Sequence, residues 1–252
     1  MTTQPQVLGD LSWPEVGERA RSAPPPVGLT LVVPVGSCEQ HGPHLPFDVD
    51  TAVAEEVSAR FAAGRGDIVL GPPLAYGASG EHEGFPGTLS VGHEVLCGML
   101  LEIGRSSSLW ASRVLFVSGH GGNVWALSCA TRRLHREGRD AAWWPCHLPG
   151  TDAHAGRAET SMMLALRASS VRMDRAEPGD CRPIEALMPE LRSHKLVGVT
   201  PNGVLGDPLG ASGAEGRHLL DELADRLRDE FSRWAVEDGL LGSGLPSWAM
   251  LE

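Results

Sequence analysis

A chain of 252 residues, 42% of them hydrophobic, is long enough to bury a substantial core without disulfide or metal staples. Its formal net charge of −11 argues against a nucleic-acid partner, and no apolar run approaches a membrane span. The five cysteines, Cys38, Cys97, Cys129, Cys146 and Cys181, are odd in number and never spaced C-x-x-C, which argues against a disulfide framework or a thiolate zinc site and suits a reducing cytoplasm.

The start, MTTQPQVLGD, has neither a basic lead nor an apolar stretch, so no signal peptide is expected. A Pro-rich lead-in, RSAPPPVG, precedes LTLVVPVG, which reads as a buried strand. DTAVAEEVSARFAAG is helical with a glycine stop, and DIVLGPPLAYG is a strand running into a loop. HEVLCGMLLEIGRSSSLWA is helical; RVLFVSGHGGN is a strand ending in a Gly-rich turn; VWALSCATRRLHREG is an amphipathic helix. A short strand, DAAWWPCHLPG, and a helix, AETSMMLALRA, follow. The last helix is expected over EGRHLLDELADRLRDEFSRWAVEDG, started by a capping box of Ser212 and Glu215. Strands alternating with helices predict one α/β domain over 1–252, with its core at about 28–238 and a mostly parallel sheet covered on both faces.

Sites in such sheets form at the carboxyl ends of strands. GSCEQHGPHLPFDVD after the first strand gathers Glu39, His41, His44, Asp48 and Asp50. Glu39 and His41 are two apart, so an extended segment points them the same way and Cys38 the other. Carboxylate and imidazole together suit Zn, Fe or Mn. Asp50 also reads as a helix N-cap, and His44 as a satisfied loop histidine. The second polar strand end, SGHGGN, supplies His120 and Asn123. His154 and Glu159 lie at a later loop-to-helix junction, and GEHEGFPGTLS places His82, with Glu81 and Glu83, in a candidate substrate rim. Trp143 and Trp144 read as core.

In order along the chain, VPVGSCEQHGPHLPFDVDTAVA, HEGFPGTLS, SGHGGN, HAGRAETS and GVLGDPLGAS resemble motifs of the creatininase family of metal-dependent amidohydrolases. The resemblance spans about residues 28–235 and implies a three-layer α/β/α fold, a centre of two divalent metal ions, and a homo-oligomer, often a hexamer. It carries metal ligation to Glu39, His41, Asp50, His120 and Glu159, with Asp50 bridging. His154 or Glu159 is expected to move a proton to the leaving amine, with His154 preferred because a metal-ligating Glu159 is a poor proton carrier, and His82 and Asn123 are expected to orient the amide. Two acids of the creatinine-hydrolysing members are replaced here by Gly122 and Ala153. As a whole the chain resembles more closely the branch found in mycofactocin gene clusters, and the resemblance implies a peptidase that releases a modified C-terminal dipeptide from a precursor peptide. Such a peptide would be guided by local arginines such as Arg157. A small cyclic or formyl amide substrate, a nucleotide-binding α/β protein and a non-catalytic oligomeric partner with structural metal are the alternatives.

Overall fold

The sequence-expected strand–helix alternation is realised in a computed structural model that describes residues 4–24 and 27–242. Pro25 and Pro26 of the lead-in, and both ends of the expected 1–252 unit, lie outside the described residues. The elements are α1 (Trp13–Ser22), β1 (Thr30–Val35), α2 (Val49–Ala62), β2 (Ile68–Leu70), α3 (His93–Ser107), β3 (Arg113–Ser118), α4 (Val124–Arg136), β4 (Ala141–Pro145), α5 (Arg157–Arg167), α6 (Ile184–Val199), α7 (Gly213–Arg233), β5 (Val236–Glu237) and β6 (Leu240–Leu241). The sheet order is β2-β1-β3-β4-β6-β5, parallel throughout except for the β5–β6 edge.

Successive strand side chains face opposite ways, and the two faces build two cores. Val32, Leu115, Val117 and Trp144 pack with Val53 and Phe61 of α2, Met163 of α5 and Leu223 of α7. Leu31, Val33, Phe116 and Trp143 pack with Leu100 of α3 and Leu127 of α4. The result is the expected three-layer arrangement.

Three expectations are corrected. The last helix stops at Arg233, where Trp234 turns left-handed (φ 39), and residues 236–241 return as a hairpin on the sheet edge. The Ser212 hydroxyl accepts the Glu215 N–H at 3.2 Å, but the Glu215 carboxylate turns to Arg157 and Ser161, so half of the capping box forms. Asp50 is not a cap either: Asp48 holds that position, and Asp50 lies inside the first turn of α2.

β1 and β3 are adjacent and in register, Val35 opposite Ser118. Each strand is followed by a glycine, and both glycines face the start of α2. A Cβ on Gly36 would overlap Thr51, and one on Gly119 would overlap the Asp50 backbone. These two positions let the first turn of α2 lie against the strand ends, which brings Asp50 between the two polar loops. Gly119→Ala is expected to cost about 1–3 kcal/mol of stability by overpacking and to displace Asp50. Denaturant unfolding and the metal content of the purified variant check both parts.

Candidate metal centre

Sheet geometry joins the two polar strand ends, and the loop after β2 and the start of α5 complete the cluster. Glu39, His41, Asp50, His82, His120 and His154 are all buried. Glu39 Oε1 lies 3.1 Å from His120 Nδ1, 3.2 Å from His82 Nε2 and 3.8 Å from His154 Nδ1. Its other oxygen accepts the Ser37 hydroxyl at 2.6 Å, and Ser37 meets Ser79 in turn. Asp50 spans the cluster, with Oδ1 3.3 Å from His41 Nε2 and Oδ2 3.6 Å from His120 Nδ1. Glu159 Oε2 reaches to 3.8 Å from His41 Nε2 and accepts the Ala155 N–H at 2.6 Å. Ala155 sits at φ 53, uncommon for a residue with a Cβ, in the turn that aims this N–H.

Backbone carbonyls fix which nitrogen of each imidazole carries its outer proton. His41 Nδ1 donates to the Glu39 carbonyl (3.2 Å), His120 Nε2 faces the Ala78 carbonyl (3.2 Å), and His154 Nε2 donates to the Gln40 carbonyl (2.8 Å). Each leaves its other nitrogen pointing at the carboxylates, the arrangement in which an outer hydrogen bond orients a ligating histidine. Gln40 sets His82 the opposite way. Its Oε1 accepts the Gly42 N–H (2.8 Å) and its Nε2 donates to the Gly203 carbonyl (2.9 Å). The remaining amide hydrogen lies within reach of His154 Nε2 (3.1 Å), which already carries a proton, and of His82 Nδ1 (3.2 Å), which accepts it. His82 therefore presents an N–H on Nε2 toward Glu39.

Glu39 Oε1, His41 Nε2 and Asp50 Oδ2 are buried without an aligned hydrogen bond, although polar atoms crowd around each. Leaving such atoms unsatisfied costs about 1–3 kcal/mol each. A divalent cation among them removes that cost, and the groupings Glu39–His82–His120, Glu39–His41–His154 and His41–Asp50–Glu159 each bring three donors within 4.8 Å of one another. The donor set fits such ions.

The same crowding shifts the titrations. Burial opposes a charge on His41, but Asp50, Glu159 and Glu39 outweigh it and push its pKa up to about 10. Burial likewise opposes charge on His120, while Glu39 and Glu81 hold it well above the usual value. Glu159 rises to about 7, mainly through burial and against the pull of His41. His154 is pushed well below its ordinary value by burial and then by His41 and His82. Cations that bind here must displace the protons held by His41 and His120, so affinity rises with pH. Zinc binding is expected to be tighter at about pH 8 than at about pH 6 and to release protons, as measured by chelator competition and by calorimetry in buffers of different ionisation heat.

Asn123 is fully buried. Its Oδ1 accepts the Ala78 N–H (2.9 Å) and its Nδ2 donates to the Gly36 carbonyl (3.0 Å), so it ties together the loops after β1, β2 and β3. Both ends of its amide are taken, and the expected substrate contact is not available to it. His82 is not on a rim but inside the cluster. Arg157, expected to guide a peptide, is bound by Glu215 at 2.9 Å. His44 is buried, with Nε2 on the Thr160 hydroxyl at 2.8 Å and Nδ1 without a hydrogen bond, so the expected satisfied loop histidine is satisfied on one nitrogen alone. The Cys38 thiol is raised by burial and by Asp48 and Glu39, which disfavours a thiolate. Glu81, expected on the same substrate rim, instead turns to His120 Nε2 at 3.1 Å. Gln40 and Ser37 carry no sequence expectation; the place of Gln40 between Glu39 and His41 is the one available signal. A cavity of about 120 Å³ opens from Asp50, His120, His154 and Glu159 toward Trp143, Leu148, Met162 and Leu223.

An α/β/α sheet with an acid–imidazole cluster at its strand ends defines a metallohydrolase-like architecture. Residues 9–231 match the family described as Creatininase: Creatinine amidohydrolase. The chain belongs to the creatininase family, hydrolases that act on amide bonds. It is 48% identical over 217 residues to the mycofactocin precursor peptide peptidase of Mycolicibacterium smegmatis, covering 84% of this chain and 88% of that protein. It is 30% identical over 267 residues to the creatinine amidohydrolase of Pseudomonas putida, covering 89% and 96%. Among solved structures, a zinc–zinc form of a creatininase variant superposes with a TM-score of 0.71 at 27% identity, covering 89% of this chain and 98% of that one. Creatininase has also been solved in a manganese form.

Proposed function

We propose that this protein is a metal-dependent peptidase that releases a modified C-terminal dipeptide from the mycofactocin precursor peptide. The observation that carries the chemistry is the set of buried, converging donor atoms that make no aligned hydrogen bond, Glu39 Oε1, His41 Nε2 and Asp50 Oδ2. The substrate assignment rests on the near-half identity to relatives so named and on the cavity, whose apolar wall suits a peptide side chain beside the amide.

Glu39, His41, Asp50, His120 and Glu159 would hold two divalent ions, Zn, Fe or Mn, with one Asp50 oxygen turned to each side. Divalent ions held there would supply Lewis acidity and a lowered pKa for bound water. His154, neutral and with its Nδ1 lone pair facing the cluster, takes a proton and passes it to the leaving amine. His82 directs its Nε2–H inward and donates to the amide oxygen. Asn123 keeps the three strand-end loops in register. Gly122 and Ala153 stand where creatinine-hydrolysing members carry acids, which favours a peptide over creatinine. The proposal includes a cytoplasmic location and a homo-oligomer, up to a hexamer.

Mass spectrometry of the modified precursor peptide incubated with metal-loaded enzyme tests the reading, with creatinine in parallel. The expected products are the shortened peptide and a dipeptide-derived fragment, both abolished by chelator. Creatinine turnover beside an intact peptide would overturn the substrate and leave the metal centre standing.

A further inference from the structure

The turn Gly80–His82 carries two side chains into the cluster from outside the five proposed ligands. His82 faces Glu39, as described above. Glu81 goes elsewhere: its Oε1 lies 3.1 Å from His120 Nε2, the ring nitrogen turned away from Glu39 and Asp50. The Ala78 carbonyl, from the same loop, stands 3.2 Å from that nitrogen. Two acceptors thus converge on one N–H, and together they leave Nδ1 of His120 as the nitrogen offered to Glu39 and Asp50.

The space for Glu81 exists because residue 122 has no side chain. A Cβ there would overlap Glu81 Oε1, His120 Nε2 and the Ala78 carbonyl together. Glu81 in this place and a side chain at 122 exclude each other. In this chain the position two residues after His120 carries no side chain, and a carboxylate from the neighbouring loop occupies that space. Ser79 of the same loop meets Ser37, which donates to Glu39 Oε2, so the loop after β2 braces both Glu39 and His120.

We infer that Glu81 is a positioning residue for the metal centre: its carboxylate holds the His120 Nε2–H in the space left by Gly122 and so presents His120 Nδ1 to the cation. A carboxylate on the outer N–H of a ligating imidazole fixes the ring and increases its basicity, and removing such a partner weakens metal binding about 10–100-fold. This inference rests on the metal-centre reading above.

The test is zinc affinity by competition with a chromophoric chelator, on the full chain, for wild type, Glu81→Ala and Glu81→Gln, with the melting temperature of each metal-free protein measured alongside. Glu81→Ala should weaken the binding of one zinc ion about 10–100-fold with little change in the metal-free melting temperature. Glu81→Gln, whose amide oxygen still accepts the N–H, should recover part of the affinity. Unchanged affinity in Glu81→Ala overturns the inference and leaves the metal centre intact. A metal-free melting temperature that falls in step with affinity also overturns it, because the role is then one of general stability. A wild-type protein that takes up no zinc, manganese or iron overturns the metal-centre reading itself.

Discussion

Asp50→Asn is expected to abolish amide hydrolysis and to strip the centre of both metal ions while leaving the fold in place. Asp50 is the one side chain with an oxygen turned to each half of the cluster, Oδ1 toward His41 and Oδ2 toward His120. An asparagine keeps the shape, but it replaces one anionic oxygen with an NH₂ group that donates and cannot ligate. The fold should survive for two reasons. The N-cap of α2 is Asp48, so the helix loses no cap. Burial and the nearby Glu39 raise the Asp50 pKa, so in the metal-free protein its charge is a strain that the amide relieves. Metal analysis, activity and thermal unfolding of the variant decide the matter together. Retention of both ions at full rate would remove Asp50 from the centre, and a collapse of the metal-free fold would make its role structural.

Much of this side-chain cluster is legible in the sequence. Glu39, His41 and His120 stand out because each follows a buried apolar strand, where unpaired polar groups are expensive, and Asp50 because it closes the same polar stretch at the start of a helix. Parallel β1 and β3 then place the two loops side by side. The loop after β2 was harder to read. His82 and Glu81 sit in a Gly/Pro-rich stretch without periodicity, and only tertiary contacts show that one faces Glu39 and the other His120. The Leu89–Cys38 bridge, with Leu89 N–H on the Cys38 carbonyl at 2.8 Å, helps seat that loop, and no local pattern announces it. Asn123 departs from expectation for a similar reason: an amide beside a glycine turn looks the same in sequence whether it meets substrate or, as here, backbone.

The helices divide in the same way. α2, α3, α4 and α5 carry apolar faces and were found within a few residues of their ends. α6 was missed because Pro189 interrupts it, Lys195 breaks it at φ 56, and few of its side chains are buried. α1 was missed although Glu15 takes the Ser12 N–H at 2.7 Å in a capping arrangement, because none of its residues is fully buried. The end of α7 was placed too late because the next glycine is Gly239, whereas Trp234 makes the left-handed stop itself.

His154→Ala is expected to lower peptide hydrolysis about 10²–10⁴-fold, the range for a proton-transferring side chain, with metal content unchanged. The Gln40 carbonyl holds the His154 N–H at 2.8 Å, which leaves Nδ1 as a base on the side of the cluster. That nitrogen is 3.8 Å from Glu39 Oε1, beside the proposed ligands. Burial keeps the ring neutral, so it accepts a proton before it gives one. Glu159 is the competing candidate, because its pKa of about 7 also suits proton transfer. Its Oε2 nonetheless lies with His41 and Asp50 in one three-donor grouping, so Glu159→Gln should lose metal together with rate. The pair of variants separates the roles: rate without metal loss for His154, and both losses for Glu159. Metal loss in His154→Ala would instead make this histidine a ligand, as its grouping with Glu39 and His41 permits. Metal retention with a large rate loss in Glu159→Gln would hand the proton to Glu159.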